Sequence, residues 1–178
     1  LTGTAKALVL AGGGTRGWAH VGAMRAFSEI GLEFDLVGGT SAGSAAAALY
    51  ATGADYDYIS ATMDALMRAS LEVVKLRHYT LPIVSISDAS ANTLLLQTVF
   101  GETCIEQLER EFFCISCDIS GNREVVHDRG LLWQAVRASC SVPGLAPPVV
   151  IEGDMHIDGG ITNNMPVDVA RKKLAGAG

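Results

Sequence analysis

Residues 34–53 of the chain, FDLVGGTSAGSAAAALYATG, contain the pattern that decides the fold. A short apolar strand is predicted at 34–38, and an alanine-rich helix follows the glycine-flanked residues 39–43 directly. A strand that turns sharply into a helix needs small residues around the turn, which is the setting of a G-x-S-x-G motif. The pattern therefore predicts that Ser41 is a nucleophile at the edge of a sheet, beside the amino end of a helix.

A second glycine-rich turn follows an apolar strand predicted at residues 7–11. The sequence of residues 12–17, GGGTRG, fits the fingerprint of dinucleotide-binding proteins, which keeps a nucleotide-binding domain as an alternative. Asp35, however, precedes the second strand, whereas an acid that binds ribose belongs at the carboxyl end of that strand. We favour an oxyanion hole, because the backbone N–H groups of Gly13 and Gly14 can approach an anionic oxygen closely.

Apolar strands and helices alternate along the rest of the chain, which predicts an α/β fold with a mainly parallel sheet. The further predicted elements are a helix ending near Gly31, a helix from Asp55, strands at 112–119, 124–126, 149–151 and 155–157, and helices at 131–139 and from about Pro166. Residues 70–91 fit no regular element, and we interpret them as a mobile cover over a site. The expected architecture is a three-layer α/β/α sandwich.

The composition excludes several classes of protein. Hydrophobic residues make up 49% of the 178 residues and charged residues only 18%, so the chain is not disordered. The formal net charge of −6 argues against a nucleic-acid partner. No apolar run approaches the roughly 20 residues that cross a bilayer. We expect residues 1–178 to form a single domain excised from a longer chain.

The nucleophile needs a base, and the residues themselves leave two candidates. His156 satisfies the serine–acid–histidine order of many hydrolases, with Asp118 or Asp128 as the acid. Asp158 ends the same predicted strand, and the glycines at 159–160 allow the backbone to pass close to a site. Either side chain could take the proton of the serine hydroxyl.

The cysteines do not predict a metal site. Cys114 and Cys117 form a C-x-x-C pattern, but residues three apart on a strand point to opposite faces of the sheet. We interpret the cysteines as buried free thiols in a reducing compartment, and we expect a cytoplasmic protein that needs no metal and no cofactor.

Three motifs in this order resemble those of the patatin-like phospholipases, and most closely the bacterial branch similar to neuropathy target esterase. They are residues 12–17, residues 39–43, and DGGITNNMP at 158–166. The stretch AVRASCSVPG at 135–144, ahead of Pro147-Pro148, also resembles that family. The likeness covers essentially the whole chain, and it implies the patatin-like three-layer fold.

The resemblance implies a lipid acyl hydrolase with a serine–aspartate dyad in place of a triad. Ser41 would be the nucleophile and Asp158 the general base. The residues implied for the oxyanion hole are Gly12, Gly13, Gly14 and Thr15, and those that support the motifs are Arg16, Gly17, Gly39, Gly43, Gly159 and Gly160. Thr15 departs from the smaller residue that is common there, but its backbone N–H is unaffected.

The implied substrate is a phospholipid or lysophospholipid, met by transient contact with a membrane surface. The sequence assigns no oligomeric state. Besides the nucleotide-binding domain, the alternatives are an esterase that uses His156 as its base and a catalytically silent lipid-binding module.

Overall fold

The computed structural model of the chain describes residues 5–72 and 89–176. Its strands are β1 (Ala7–Leu10), β2 (Leu36–Thr40), β3 (Glu111–Asp118), β4 (Arg123–His127), β5 (Val149–Ile151) and β6 (Asp154–Asp158). Its helices are α1 (Trp18–Glu29), α2 (Ala42–Ala51), α3 (Tyr56–Glu72), α4 (Ser90–Phe100), α5 (Leu132–Ser139) and α6 (Val167–Gly176), and short 3-10 turns lie at Gly14–Gly17, Ile105–Gln107 and Gly159–Ile161. Most of the predicted cover at 70–91 lies outside the described residues.

The strands form one six-stranded sheet in the order β1-β2-β3-β6-β5, with β4 paired to β3. The first three strands are parallel, and β4, β5 and β6 complete the sheet by antiparallel pairing. Helices cover both faces, which confirms the predicted α/β class. The strands and helices predicted from the sequence are present within a few residues of their expected bounds, but α4 was not predicted.

Strands β2 and β6 meet end to end along one edge of β3. Thr40, the last residue of β2, pairs with Ile115, and Asp158, the last residue of β6, pairs with the next residue, Ser116. β4 pairs with residues 114–118 and thus occupies the other edge, because an edge accepts only one partner strand at each residue. The carboxyl ends of two strands distant in sequence therefore face each other.

The core lies mainly on the face of the sheet that α1–α5 cover, and α6 buries a smaller apolar cluster on the opposite face. Helix α2 is buried almost completely, and its run of alanines brings its backbone close to the sheet. On the opposite face, Gly38 leaves room for the ring of Phe113, because a Cβ there would lie 2.2 Å from that ring. None of the described helices is both long and apolar enough to cross a membrane.

Candidate active site

Ser41 occupies a strained turn between β2 and α2. Its backbone has φ 53° and ψ −126°, a conformation that residues other than glycine rarely adopt. The Ser41 N–H donates to the Ser139 hydroxyl at 2.9 Å, and its carbonyl accepts from the Ser44 hydroxyl at 2.6 Å. These bonds hold the turn while the Ser41 side chain lies at the first turn of α2, where the helix dipole favours negative charge.

The glycines on either side of Ser41 allow this turn to lie against the end of β1. A Cβ at Gly39 would lie 2.4 Å from the Leu10 carbonyl oxygen, and one at Gly43 would lie 2.1 Å from the same atom. Both distances are shorter than real Cβ contacts, and the Leu10 carbonyl belongs to the backbone of β1, which cannot shift easily. The two glycines are therefore required by close packing as well as by the motif.

Asp158 brings a buried carboxyl group to the same place. It is only 6% exposed, and its Oδ1 accepts from the Gly160 N–H at 2.7 Å. Its Oδ2 is buried and accepts no hydrogen bond from the described residues. Burial raises the pKa of Asp158 above its ordinary value, whereas the neighbouring Ser41 hydroxyl and the Gly160 N–H lower it and only partly offset that rise.

The glycine-rich loop after β1 is fixed at its base. Gly12 exchanges two hydrogen bonds with Asn164: the Gly12 N–H donates to the Asn164 carbonyl at 3.1 Å, and Asn164 Nδ2 donates to the Gly12 carbonyl at 3.3 Å. The His20 ring bonds to the Ala11 carbonyl at 2.8 Å. Asn164 lies in the same motif as Asp158, so the loop and the carboxylate are held by the same segment.

Beyond this base the loop presents free backbone donors. Gly14 has φ +55°, and nothing lies within 4 Å of the position of a Cβ there. The Gly13 N–H donates to none of the described residues, and Gly14 begins a 3-10 turn whose first N–H groups have no partner within the turn. Arg16 is exposed, and its Nε donates to the Gly13 carbonyl at 3.5 Å.

A cavity of about 260 Å³ opens at this point and contains Ser41 in its wall, together with Gly14 and Thr15. Most of its other lining residues are apolar side chains from α3, α4, α5 and the segment after α5, including Leu66, Met67, Leu96, Val136, Val142 and Leu145. An apolar cavity that ends at a serine and at a loop with free N–H groups, with a buried carboxylate beside that serine, suits an ester with a long hydrocarbon chain.

The structure does not bring His156 to the serine. His156 Nδ1 bonds to the Ser116 hydroxyl at 2.8 Å, and His127 Nε2 bonds to the same hydroxyl at 2.7 Å. Both rings are buried, and burial is the main cause that lowers their pKa values, to about 4 for His127. This buried histidine–serine–histidine chain is a feature that sequence reasoning missed, since its members come from three strands.

The two acids considered for a triad have other partners. Asp118 accepts from Arg123 Nε at 2.9 Å, and Asp128 accepts from Lys173 Nζ at 2.9 Å. These bonds are among the causes that lower the pKa values of both carboxyl groups. Asp35, considered for a nucleotide, bonds to the Lys6 N–H at the amino end of β2, the end of the sheet opposite the glycine-rich loop. That placement removes the support for a ribose site.

The remaining motif residues pack against the Ser41 turn or form hydrogen bonds within the Asp158 motif. Gly17 packs against α2, where a Cβ would lie 2.8 Å from the Ala42 Cβ, and the Gly159 carbonyl accepts from Asn163 N–H at 2.8 Å. Thr40 donates its hydroxyl to the Asn163 carbonyl at 2.8 Å. The roles of the two asparagines were missed, although both lie in the quoted motif at 158–166. Among the described residues no cluster of acidic, histidine and cysteine side chains could hold a metal ion.

Comparisons with known proteins were made by sequence and by structure. The sequence model of the family described as "Patatin-like phospholipase" matches residues 8–171. The chain is 40% identical over 170 residues to an uncharacterized NTE family protein of Mycobacterium tuberculosis, covering 95% of this chain and 28% of that protein. It is also 40% identical over 174 residues to patatin-like phospholipase domain-containing protein 7 of Rattus norvegicus, covering 96% of this chain and 13% of that protein.

A fungal relative and a solved structure extend these matches. Lysophospholipase nte1 of Aspergillus fumigatus is 39% identical over 175 residues, covering 94% of this chain and 11% of that protein. The chain thus spans less than a third of the length of these relatives. The crystal structure of VipD from Legionella pneumophila has the same fold, with a TM-score of 0.64 and 18% identity over 92% of this chain and 47% of that chain.

Proposed function

The chain belongs to the patatin-like phospholipase family, and we propose that it is a serine lipid acyl hydrolase that uses Ser41 and Asp158 as a dyad. One observation carries this proposal above the others. The Asp158 carboxyl is buried, its pKa is raised, and its Oδ2 lacks a hydrogen bond from any described residue while the Ser41 hydroxyl lies beside it. A carboxylate in that state is a stronger base than an exposed one.

The first half of the reaction forms an acyl-enzyme. Ser41 Oγ attacks the ester carbonyl carbon, and its proton passes to Asp158 Oδ2 as the new C–O bond forms. The carbonyl π electrons move to its oxygen, and the N–H groups of Gly13 and Gly14 would donate to that oxyanion. The tetrahedral intermediate then collapses, and Asp158 returns the proton to the departing alkoxide of the lysolipid or glycerol derivative.

The second half repeats the same proton transfers with water. Asp158 takes a proton from a water molecule, which attacks the acyl carbon attached to Ser41. Collapse of the second intermediate breaks the acyl–serine bond, and the proton returns to Ser41 Oγ. The products are a fatty acid and the free serine, and no metal takes part in this route.

The apolar mouth of the cavity supports lipid as the substrate. Val142 and Leu145 line the cavity and are 38% and 46% exposed. Exposed apolar residues that continue into an apolar cavity would let an acyl chain pass from a bilayer into the site. We therefore propose that the protein acts on phospholipids or lysophospholipids during transient contact with a membrane surface.

A covalent probe tests this proposal. A fluorophosphonate with a long alkyl chain should label the protein, and Ser41→Ala should abolish both labelling and hydrolysis of a p-nitrophenyl acyl ester. Ser120→Ala, which removes a serine hydroxyl outside the site, should change neither. Absence of labelling in the folded wild-type protein would point to a silent lipid-binding module, and loss of hydrolysis in His156→Ala with retention in Asp158→Asn would point to a triad.

A further inference from the structure

A buried cation lines the substrate cavity. Arg137, on α5, is only 5% exposed, although it is a lining residue of the same cavity as Ser41. Its Nε donates to the Thr93 hydroxyl at 3.0 Å, and its Nη1 donates to the Ser141 hydroxyl. These bonds fix the plane of the guanidinium group, but they come from neutral partners.

The charge of Arg137 has no counter-ion in the part of the chain that the structure describes. No described carboxylate lies within 4.0 Å of its nitrogens, and no described atom accepts from Nη2. The nearby Cys140 thiol does not serve, because burial raises its pKa to about 12 and keeps it neutral. Burying an unpaired cation costs free energy, so an anionic partner that none of the described residues supplies would stabilise Arg137.

Asn92, on α4, is another lining residue of the cavity and carries an unpaired acceptor. Its Nδ2 donates to the Ser70 hydroxyl at 2.9 Å, and that hydroxyl in turn donates to the Leu66 carbonyl at 2.9 Å. Because the Ser70 proton is committed, the amide orientation is fixed and Asn92 Oδ1 is the free end. It is buried and accepts from none of the described residues.

Two lining residues of the cavity therefore carry an unpaired cation and an unpaired acceptor, while most of the other lining residues are apolar. Asn92 and Thr93 are adjacent on α4, and Thr93 is itself bonded to Arg137, so the two groups lie on neighbouring helices at one side of the cavity. Ligand cavities commonly contain a few convergent polar groups that fix the orientation of an apolar ligand. A matching ligand carries an acyl chain, an anionic oxygen and a hydroxyl.

We infer that Arg137 and Asn92 determine substrate specificity by binding the polar part of a lysophospholipid: the guanidinium binds the phosphodiester and the amide oxygen accepts from the free glycerol hydroxyl. The inference rests on the proposed function of the same site. A monoacylglycerol has the ester and the hydroxyls but no anion, so it lacks the interaction with Arg137. The carboxylate of a fatty acid product is the other source of an anion in this cavity.

The test compares two substrates with the same acyl chain. In Arg137→Gln, the ratio of kcat/KM for lysophosphatidylcholine to kcat/KM for monoacylglycerol should fall by about 10- to 100-fold, the loss expected for a charged hydrogen bond, and mostly through KM. Arg137→Lys keeps the positive charge but loses the planar set of N–H donors of the guanidinium group, and it should lower the ratio less. An unchanged ratio in Arg137→Gln would overturn the inference.

A second variant guards against misfolding of the first. Asn92→Asp has nearly the same shape, and its carboxylate would neutralise Arg137 and repel a phosphodiester, so it should also lower the ratio. Thermal unfolding followed by circular dichroism checks that each variant is folded. If Asn92→Asp folds and retains the wild-type ratio, the assignment of the polar end is wrong.

Product inhibition separates the two sources of the anion. If Arg137 binds the phosphodiester, the inhibition constant of the free fatty acid should change little in Arg137→Gln while the substrate ratio falls. A raised inhibition constant with an unchanged ratio would assign Arg137 to the carboxylate and overturn the inference. If the wild-type protein hydrolyses neither lipid and takes no fluorophosphonate, the proposed function itself fails, which is a different result.

Discussion

Two buried aspartates of the same sheet differ in their surroundings. Asp118, at the end of β3, is fully buried, and it accepts from the N–H groups of Ser120 and Gly121 and from Arg123. The Gly121 N–H and Arg123 are the main causes that lower its pKa. Asp158, at the end of the adjacent strand β6, accepts one N–H bond and has a raised pKa because burial dominates.

The contrast separates a structural carboxylate from one that can do chemistry. Asp118 Oδ1 accepts two N–H bonds from its own turn and Oδ2 accepts from Arg123, so protonation of Asp118 would disrupt bonds that it already makes. Asp158 keeps an oxygen unpaired beside a hydroxyl, which leaves it able to accept one. Both carboxyl groups are shielded from solvent, but hydrogen bonds have the larger effect on the pKa of Asp118 and burial has the larger effect on that of Asp158.

The largest expected effect is on catalysis. Under the proposed mechanism, Asp158→Asn should lower kcat by about 10⁴-fold because an amide cannot take the Ser41 proton, whereas Asp118→Asn should leave kcat within a few fold. Stability should show the reverse pattern. Asp118→Asn should lower the melting temperature by several degrees, and Asp158→Asn should not, because a raised folded-state pKa means that its charge opposes folding at neutral pH. Equal losses of kcat in the two variants would contradict the assignment of Asp158 as the base and Asp118 as a structural carboxylate.

A smaller effect is expected from pH. Asp158 accepts a proton only when ionised, so kcat/KM should fall as pH drops through its raised pKa, about 100-fold at two pH units below it. Asp118, with a lowered pKa, stays ionised over this range and contributes nothing to the profile. The midpoint should therefore lie above 3.8, the ordinary value for aspartate. A midpoint below that value would remove Asp158 as the base.

The buried histidines give a separate acid effect on stability that must be distinguished from the loss of activity. His127 has a folded-state pKa of about 4 against 6.5 when unfolded, so the unfolded chain binds more protons between these values and stability is lost as pH falls. Between pH 7 and pH 5 the loss should be about 2 kcal/mol, or about 4–8 °C in melting temperature. His127→Gln should flatten this dependence, and calorimetry at both pH values measures it. If His127→Gln keeps the full pH dependence, another group is responsible.

The smallest expected effect concerns the salt bridge of Asp118. Arg123 has a side chain that is 63% exposed, so Arg123→Gln removes a solvent-screened ion pair and leaves the two backbone donors in place. The melting temperature should fall by no more than about 3 °C, less than in Asp118→Asn, and kcat should be unchanged. A loss as large as that of Asp118→Asn would mean that the ion pair, and not the turn, satisfies the carboxylate.

Local pattern predicted most of the fold because apolar strands bounded by glycine and proline are encoded in short stretches. Helix α4 was missed because Ser90–Phe100 has no capping residue at its start and contains Thr93, Thr98 and Val99, which are weak helix formers. Its helical state comes from packing on α3 and α5. The antiparallel course of β6 was equally hidden, since strand direction depends on partners distant in sequence.

The candidate site likewise contains residues that local motifs predict and residues whose state depends on distant contacts. Ser41, Asp158 and the glycine-rich loop lie in compact motifs, so their residue numbers could be proposed before any coordinates. The unpaired state of Arg137 and Asn92 could not, because it depends on which side chains fail to reach them. The burial of His127 could not be predicted either, because it depends on packing beside Ser116 and His156 of other strands.

The meeting of β2 and β6 along one edge of β3 has a consequence for the newly made protein. Under the proposed mechanism, a nascent polypeptide that ends before residue 158 carries a serine without its base, and the glycine loop still lacks its anchor at Asn164. Catalytic competence thus arrives only with the last segment of the sheet. Under the proposed function, an incompletely synthesised chain could not hydrolyse lipids.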